Sequence, residues 1–389
     1  MKKFFAGMAL LGGMALAAAD PFFEATVKHV DMGGEMFAYQ NLTESMKSFE
    51  GIITSLENAT RRPLVKSAVK AFAKTLDLGS FKGIAQSSVK VAPRLYVHKS
   101  FVLTEGNSRS ILAGKAARNV RLDMIMRSLP ADTRLAVYAD VDSAFIWARI
   151  TEEIIASGDQ KLIQLVNETK ANFKTMGIDV DALAASVNGP MMLVVTGKSP
   201  LELKFAVLIA DKDGVLGAVL RKHFPPKAGE NFYPIRKSQY LPQARLIYSE
   251  RGILFVSDPK LLDPPAKMFG DTPRFRRFAS LVPTEGSGFM IVDISKNFAK
   301  TFNAFIPNDY KPFQLRPFSM VTVESASSDG VGSVTVSNFS LPSVSPKIMA
   351  ATFQKALSEA GKKVSGIKGK VIQTAPAQKP AAPAQKPAK

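Results

Sequence analysis

Short apolar runs bounded by turn residues dominate the middle of the chain, and each predicts a β-strand. MMLVVTG (191–197) and LKFAVLIA (203–210) are joined across residues 198–202, and RLIYS and ILFVS flank Glu250, Arg251 and Gly252. SMVTVESAS and VGSVTVSNF flank Ser328, Asp329 and Gly330. Connections this short predict antiparallel hairpins. The last pair alternates with period two, which predicts one buried face and one wet face.

The same pattern repeats on a larger scale. LPADTRLAVYADVDSAF, from Leu129, aligns with LVPTEGSGFMIVDISKNF, from Leu281. Pro130 stands ten residues before Asp140 and Pro283 ten before Asp293, and the acids Asp132 and Glu285 coincide. EMFAYQNLTESM, from Glu35, matches the second half of the unit and lacks the proline. Each copy reads as a buried strand (135–138 or 289–292 in the full copies) that stops at Asn41, Asp140 or Asp293 and turns directly into a helix. Thr43, Asp142 and Ser295, two residues later, are expected to cap that helix, and the acid or amide at the stop is expected to serve the turn.

Helical periodicity follows each cap, and a hairpin follows the helix. The resulting β-α-β-β rhythm predicts an α+β fold of repeated units, with helices packed on one face of an antiparallel sheet. Residues 52–76 read as two helices interrupted at Pro63. A final helix has Ser345 as cap, Pro346 at its first position, an apolar stripe of Met349, Phe353 and Leu357, and Gly361 as terminator.

The implied organisation is a signal peptide over 1–19, an N-terminal β-α region over 20–125, a first full repeat unit over 126–270 and a second over 271–345. A closing helix over 346–361 and a disordered Lys/Pro/Ala tail over 362–389 follow. Lys2 and Lys3, a short apolar run and Ala17–Ala18–Ala19 form the signal pattern, which predicts export to the periplasm or beyond the cell with no membrane span after its removal. The tail carries APAQKPA twice in tandem.

Composition adds exclusions. The chain has 389 residues, 46% of them hydrophobic, and a net charge of +18. Removing seven tail lysines and two signal lysines leaves +9 on the body. The tail is therefore expected to contact anionic envelope polymers or lipid headgroups. The absence of cysteine excludes thiolate nucleophiles, disulfides, Cys-ligated zinc and a Cys-linked lipid anchor. None of the three histidines, His29, His98 and His223, pairs at i, i+4, which excludes a two-His helical zinc motif.

Asp211–Lys212–Asp213–Gly214 resembles part of a calcium loop but has Ile209 where an oxygen ligand is required, so Asp211 is expected to cap a helix over 215–222. No P-loop or G-x-S-x-G elbow occurs, and Ser287, between Gly286 and Gly288, precedes a strand rather than a helix. His223 reads as a helix C-terminal residue and His98 lies on a strand; either could serve as the base of a spatially assembled hydrolase. Trp147, the only tryptophan, is expected to pack in the core.

Phenylalanines including Phe275 and Phe278 crowd a region interleaved with Arg274, Arg276, Arg277 and Arg316. The cluster reads either as a core with snorkelling arginines or as a patch for lipid acyl chains. Phe275, Phe278, Arg276 and Arg277, with Lys379 and Lys386 in the tail, are the candidate contact residues. No catalytic, metal or cofactor residue is assigned.

LPADTRLAVYADVD, VNGPMMLVVTG with LKFAVLIADKDG, and RLIYSERGILFVSDPKLL resemble a class of uncharacterised exported bacterial envelope proteins, a domain of unknown function built from strand-helix-hairpin units. The resemblance covers residues 129–339 and implies the fold type and an envelope location; it brings no catalytic residues. The expected function is that of an exported, non-enzymatic envelope protein, binding or structural, with anionic envelope polymers or lipid as partners and no nucleic acid. The alternatives are a carrier of a hydrophobic ligand such as lipid, and a hydrolase using one histidine.

Overall fold

The computed structural model describes residues 20–340 except 60–61, 107, 113–117, 236–240, 242, 251 and 305–314, and omits the side chains at 52, 56 and 59. The chain divides into two units, 1–343 and 344–389. The second unit, where the final helix and the tail are expected, lies outside the described residues, as does the expected signal segment over 1–19.

Helix α1 (Phe23–Val27) precedes β1 (Met36–Asn41), α2 (Thr43–Ala59), α3 (Pro63–Leu76) and the hairpin β2 (Phe81–Ala92) and β3 (Leu95–Thr104). After β4 (Val120–Arg121) and α4 (Leu122–Ser128) come β5 (Thr133–Val141), helices α5 (Ser143–Ala156), α6 (Gln160–Thr175) and α7 (Val180–Ser186), and the hairpin β6 (Gly189–Thr196) and β7 (Lys204–Ala210). Helix α8 (Val215–His223), then β8 (Phe232–Pro234), β9 (Arg245–Ser249) and β10 (Gly252–Val256) extend this unit. Helix α9 (Pro273–Ala279) and β11 (Glu285–Gly286) lead to β12 (Gly288–Ile294), α10 (Lys296–Ala304) and the hairpin β13 (Phe318–Ser327) and β14 (Gly330–Ser337).

Among the described residues, twelve strands form one sheet in the order β1-β2-β3-β14-β13-β12-β5-β6-β7-β10-β9-β8, with every neighbouring pair antiparallel; β4 and β11 pair separately. The expected hairpins and the α+β architecture are present. The three sequence units are segments of a single layer, and they join by like-to-like pairing. The last strands of the first and third units meet as β3·β14, and the first strands of the third and second units meet as β12·β5.

One face of the sheet is the core. Val97, Val336, Val321, Val323, Phe289, Ile291, Ala136, Tyr138 and Val194 run across it and are buried beneath Leu122, Met126 and Leu129 at α4 and Phe269, Phe275 and Phe278 at α9. The opposite face carries α8, whose Gly217 lies against Ile253 and whose Arg221 stacks on Tyr248 at 4.8 Å. Helix α7 packs on α8, α5 on α7, α3 on α5 and α2 on α3, which makes the long helices one connected layer.

The expected caps hold in two of the three copies. Asp142 accepts from the Phe145 N–H at 2.9 Å and Ser295 from that of Phe298 at 3.2 Å. In the first copy Thr43 is already helical and its hydroxyl is buried without a partner; Asn41, two residues earlier, accepts from the Thr43 N–H at 2.9 Å. Asp159 and Asp179 cap α6 and α7, turning polar stretches into helix starts.

Candidate functional site

The face opposite the core holds an unbroken row of paired residues across the sheet. It reads Ser88, His98, Thr335 and Thr322 on β2, β3, β14 and β13, then Met290, Val137, Leu193, Val207 and Phe255 on β12, β5, β6, β7 and β10. The row is polar from β2 to β13 and apolar from β12 to β10, with the change between β13 and β12; beyond Ser88 it continues to Met36 on the edge strand β1.

At the polar end the side chains are buried. Ser88 is 1% exposed, Ser337 0%, and His98, Thr322 and Thr335 8% or less. The period-two alternation of the last hairpin predicts one wet face; here Thr322 and Thr335 on that face are buried, while Glu324 beside them stays exposed. The Thr322 and Thr335 hydroxyls bond each other at 2.8 Å, which satisfies one donor between them. The His98 Nδ1 and the Ser88 hydroxyl have no partner among the described residues.

At the apolar end the side chains are not fully covered. Met290, Val292, Leu135, Val137, Leu193, Val195, Phe205, Val207 and Phe255 are all half-buried. On β12 and β5 the alternate residues Phe289, Ile291, Ala136 and Tyr138 point to the core face and are buried, as is Val194 on β6; on β7 and β10 the two faces differ less, since core-face Ala206, Leu208 and Leu254 are half-buried and Ile253, on the face of Phe255, is 4% exposed beside α8. The apolar stretch from Met290 to Phe255 crosses four inter-strand gaps, roughly 19 Å at ~4.8 Å each.

His98 is the sequence-named histidine that reaches a serine. Its Nε2 lies 3.0 Å from the Ser337 hydroxyl and 3.3 Å from the Phe339 carbonyl oxygen. A carbonyl can only accept, so Nε2 carries the proton; the Ser337 hydroxyl itself donates to the Phe339 carbonyl. The imidazole is thus a donor toward Ser337, the reverse of the proton flow from a nucleophilic serine to its base. Burial holds the His98 pKa below the ordinary histidine value, against the opposing pull of the Phe339 carbonyl.

The remaining sequence candidates lie elsewhere. Phe275 and Phe278, expected as one option to contact lipid, are 3% and 5% exposed within the core, because the α9 spacing turns both toward the sheet. Arg276 and Arg277 are exposed, and Arg277 donates to the carbonyls of Pro93 and Arg94, tying α9 to the β2–β3 turn. Lys379 and Lys386 lie outside the described residues. Trp147 is half-buried rather than in the core: its indole donates to Asp181 at 2.6 Å and lies under Lys170, bridging α5, α6 and α7. His223 is exposed at the end of α8, and His29 stacks on Phe101 at 3.6 Å.

Asp211 is a helix cap, as expected. Its carboxylate accepts from the N–H groups of Leu216 at 3.1 Å and Gly217 at 2.7 Å and from the Ser186 hydroxyl. No cluster of His, Asp and Glu among the described residues could hold a metal ion. Among those residues, no helix is long and apolar enough to cross a membrane.

Asp140 and Asp293 do not serve the turn. Each strand continues one residue past its aspartate, and each carboxylate is buried in an ion pair with arginines on or near the core face. Arg118 donates to Asp140 at 3.0 Å; Arg134, at 2.7 Å, and Arg274 both reach Asp293. The two aspartates lie at opposite ends of an antiparallel pair, roughly 20 Å apart for six residues of strand, and form no joint site. These partners stand outside the aligned polar positions of the repeat, so the alignment alone did not point to them.

Among the described residues, clefts lie away from the row. One, of about 500 Å³, lies among α2, α3 and α5; another, of about 870 Å³, lies beside the β6–β7 turn. Both are lined by acids and bases together, without a dominant sign. Comparison with known proteins finds no matching family model, and no curated protein or solved structure that matches the chain.

Proposed function

We propose that this chain is an exported, non-catalytic envelope protein that binds an amphiphile, with the acyl portion lying along the half-covered aliphatic face of β12, β5, β6, β7 and β10. The observation that carries this reading is the contrast between the two sides of the same strands: buried at Phe289, Ile291 and Tyr138, half-open at Met290, Val292 and Val137. Contiguous apolar surface left accessible marks a binding surface more often than a stability feature. The polarity change along the row supports an amphiphile over a wholly apolar ligand. The His98 Nδ1 and the Ser88 hydroxyl, without partners among the described residues, lie buried at the polar end, so a headgroup would rest beside them rather than bond them. The basic tail supplies a second, sequence-based contact with anionic envelope polymers.

The test is native mass spectrometry with lipid extraction of the protein purified from its own envelope. Retained lipid in the parent, lost in Val137→Gln and Val207→Gln at unchanged circular dichroism, is the expected result. A clean apo mass in the parent overturns the reading. Ester hydrolysis that disappears in His98→Gln would favour the hydrolase instead.

A further inference from the structure

We infer that β1 is a docking edge for a second copy of this chain, which pairs through its own β1 to form a two-fold dimer with one continuous sheet.

The joint between β5 and β12 provides the template. Both are first strands of their units, and they meet antiparallel with Val137 opposite Met290 at the centre and Tyr138 opposite Phe289. Asp140 donates its N–H to the Ser287 carbonyl at 2.9 Å; alternate residues of an antiparallel ladder bond their opposite numbers, so Tyr138 and Phe289 are a hydrogen-bonded pair. Their rings stack at 5.5 Å with an interplanar angle of 8°.

β1 is the remaining first strand, and its outer edge pairs with no strand among the described residues. The Leu42 N–H donates to the Lys82 carbonyl at 2.9 Å, which fixes the phase of the β1·β2 ladder. Met36, Ala38 and Gln40 bond β2, and Phe37, Tyr39 and Asn41 turn their N–H and C=O groups outward. Those outward backbone groups have no partner among the described residues.

The repeat alignment places Asn41 on Asp140 and Asp293, so Ala38 occupies the place of Val137 and Met290. Phe37 and Tyr39 occupy the places of Phe289 and Tyr138. A second copy paired in the same register puts Ala38 opposite the second copy's Ala38 and Phe37 opposite the second copy's Tyr39. The Tyr–Phe stack of the internal joint then forms twice, on hydrogen-bonded pairs as it does there.

Edge protection is one-sided. MFAYQN carries no charge and no proline, the devices that commonly guard an exposed edge. The opposite edge, β8, has three residues and ends in Pro234. The unguarded edge is therefore the one whose residues repeat an internal joint, and closed two-fold pairing uses it up without propagating.

The full chain has no cysteine, so Ala38→Cys introduces a single thiol. In the inferred register residue 38 faces itself at a non-hydrogen-bonded pair, where Cα atoms are roughly 4.5 Å apart, inside the range a disulfide spans. Oxidation is expected to convert Ala38→Cys to a covalent dimer, while Gln40→Cys, opposite Met36 of the second copy, is not. Sedimentation of the parent should show a concentration-dependent dimer. Ala38→Lys and Ala38→Glu should each be monomeric, and an equimolar mixture of the two should dimerise. Circular dichroism on each variant separates loss of pairing from loss of fold. A parent that stays monomeric at all concentrations, or equal cross-linking at positions 38 and 40, overturns the inference. So does an edge that accepts an extended peptide of other sequence but no second copy.

Discussion

Arg134 faces Asp293 across the β5·β12 joint, one step beyond the pair Leu135 and Val292, and its Nη1 donates to the carboxylate at 2.7 Å. Arg274, from α9, reaches the same oxygen, and the Ser319 hydroxyl donates to the other. One carboxylate therefore holds two guanidiniums that are largely withdrawn from water, with side-chain exposures of 15% and 24%.

Removing that carboxylate leaves two cations facing each other with no counter-charge, the costly way to break a buried pair. Asp293→Asn is expected to lower the unfolding free energy by about 3 kcal/mol, read as a drop in the urea midpoint at unchanged slope. Asp140→Asn should cost about 1 kcal/mol or less, because the Arg118 side chain is 55% exposed and recovers its hydration. Equal losses at both positions would refute this account of the repeat aspartates.

Asp211 tests a different kind of burial. It is 3% exposed and joins the start of α8 to Ser186 at the end of α7. Asp211→Ala should cost about 2 kcal/mol, the upper end for a helix cap, since it also removes the acceptor of the Ser186 hydroxyl proton, which is left accepting from the Asp213 and Val215 N–H groups alone. Added calcium should leave the parent's thermal midpoint unchanged; a calcium-dependent rise would revive the loop as a metal site.

The strands, the hairpins and two of the three helix caps were legible because each depends on residues close together in sequence. The pairing of Asp293 with Arg134 and Arg274 was not, since register joins residues that no local spacing relates. The coverage of the two faces was also hidden. MMLVVTG and LKFAVLIA are apolar on both sides, and an unbroken run does not reveal which side lies against the core. The alternation in SMVTVESAS gave the phase of β13 correctly, yet its threonine side is buried, because period two reports polarity and not exposure. In sequence Phe275 and Phe278 fit a core or a lipid contact equally, and what separates the two is the packing of α4 and α9, two short helices below the length at which periodicity is readable.

His98 gives a pH dependence. Burial depresses its folded-state pKa below the unfolded value of about 6.5, so the folded state binds fewer protons than the unfolded state across that interval. Its contribution is fully present above pH ~6.5 and is lost as pH falls from there toward the folded-state value. Urea midpoints measured between neutral and mildly acidic pH should fall for the parent and fall less for His98→Gln. Identical slopes in the two proteins would mean that the imidazole is not the group responsible.

Ile291 and Val292 are sequence neighbours on opposite faces of β12, and they separate stability from binding. Ile291 is 1% exposed beneath α4 and α9, so Ile291→Ala removes methyl groups from close packing and leaves a cavity. The expected loss is about 3 kcal/mol with no change in retained amphiphile per folded molecule. Val292 is half-buried on the aliphatic face, where neighbours and solvent fill the space of lost methyls, so Val292→Ala should cost under about 1 kcal/mol. Val292→Asp puts a carboxylate where solvent still reaches, and by placing a charge where the acyl chain is proposed to lie it should abolish retention. Chemical denaturation and lipid extraction on the same preparations check both halves. If Val292→Asp unfolds the protein as severely as Ile291→Ala, that face is a second core and not a binding surface.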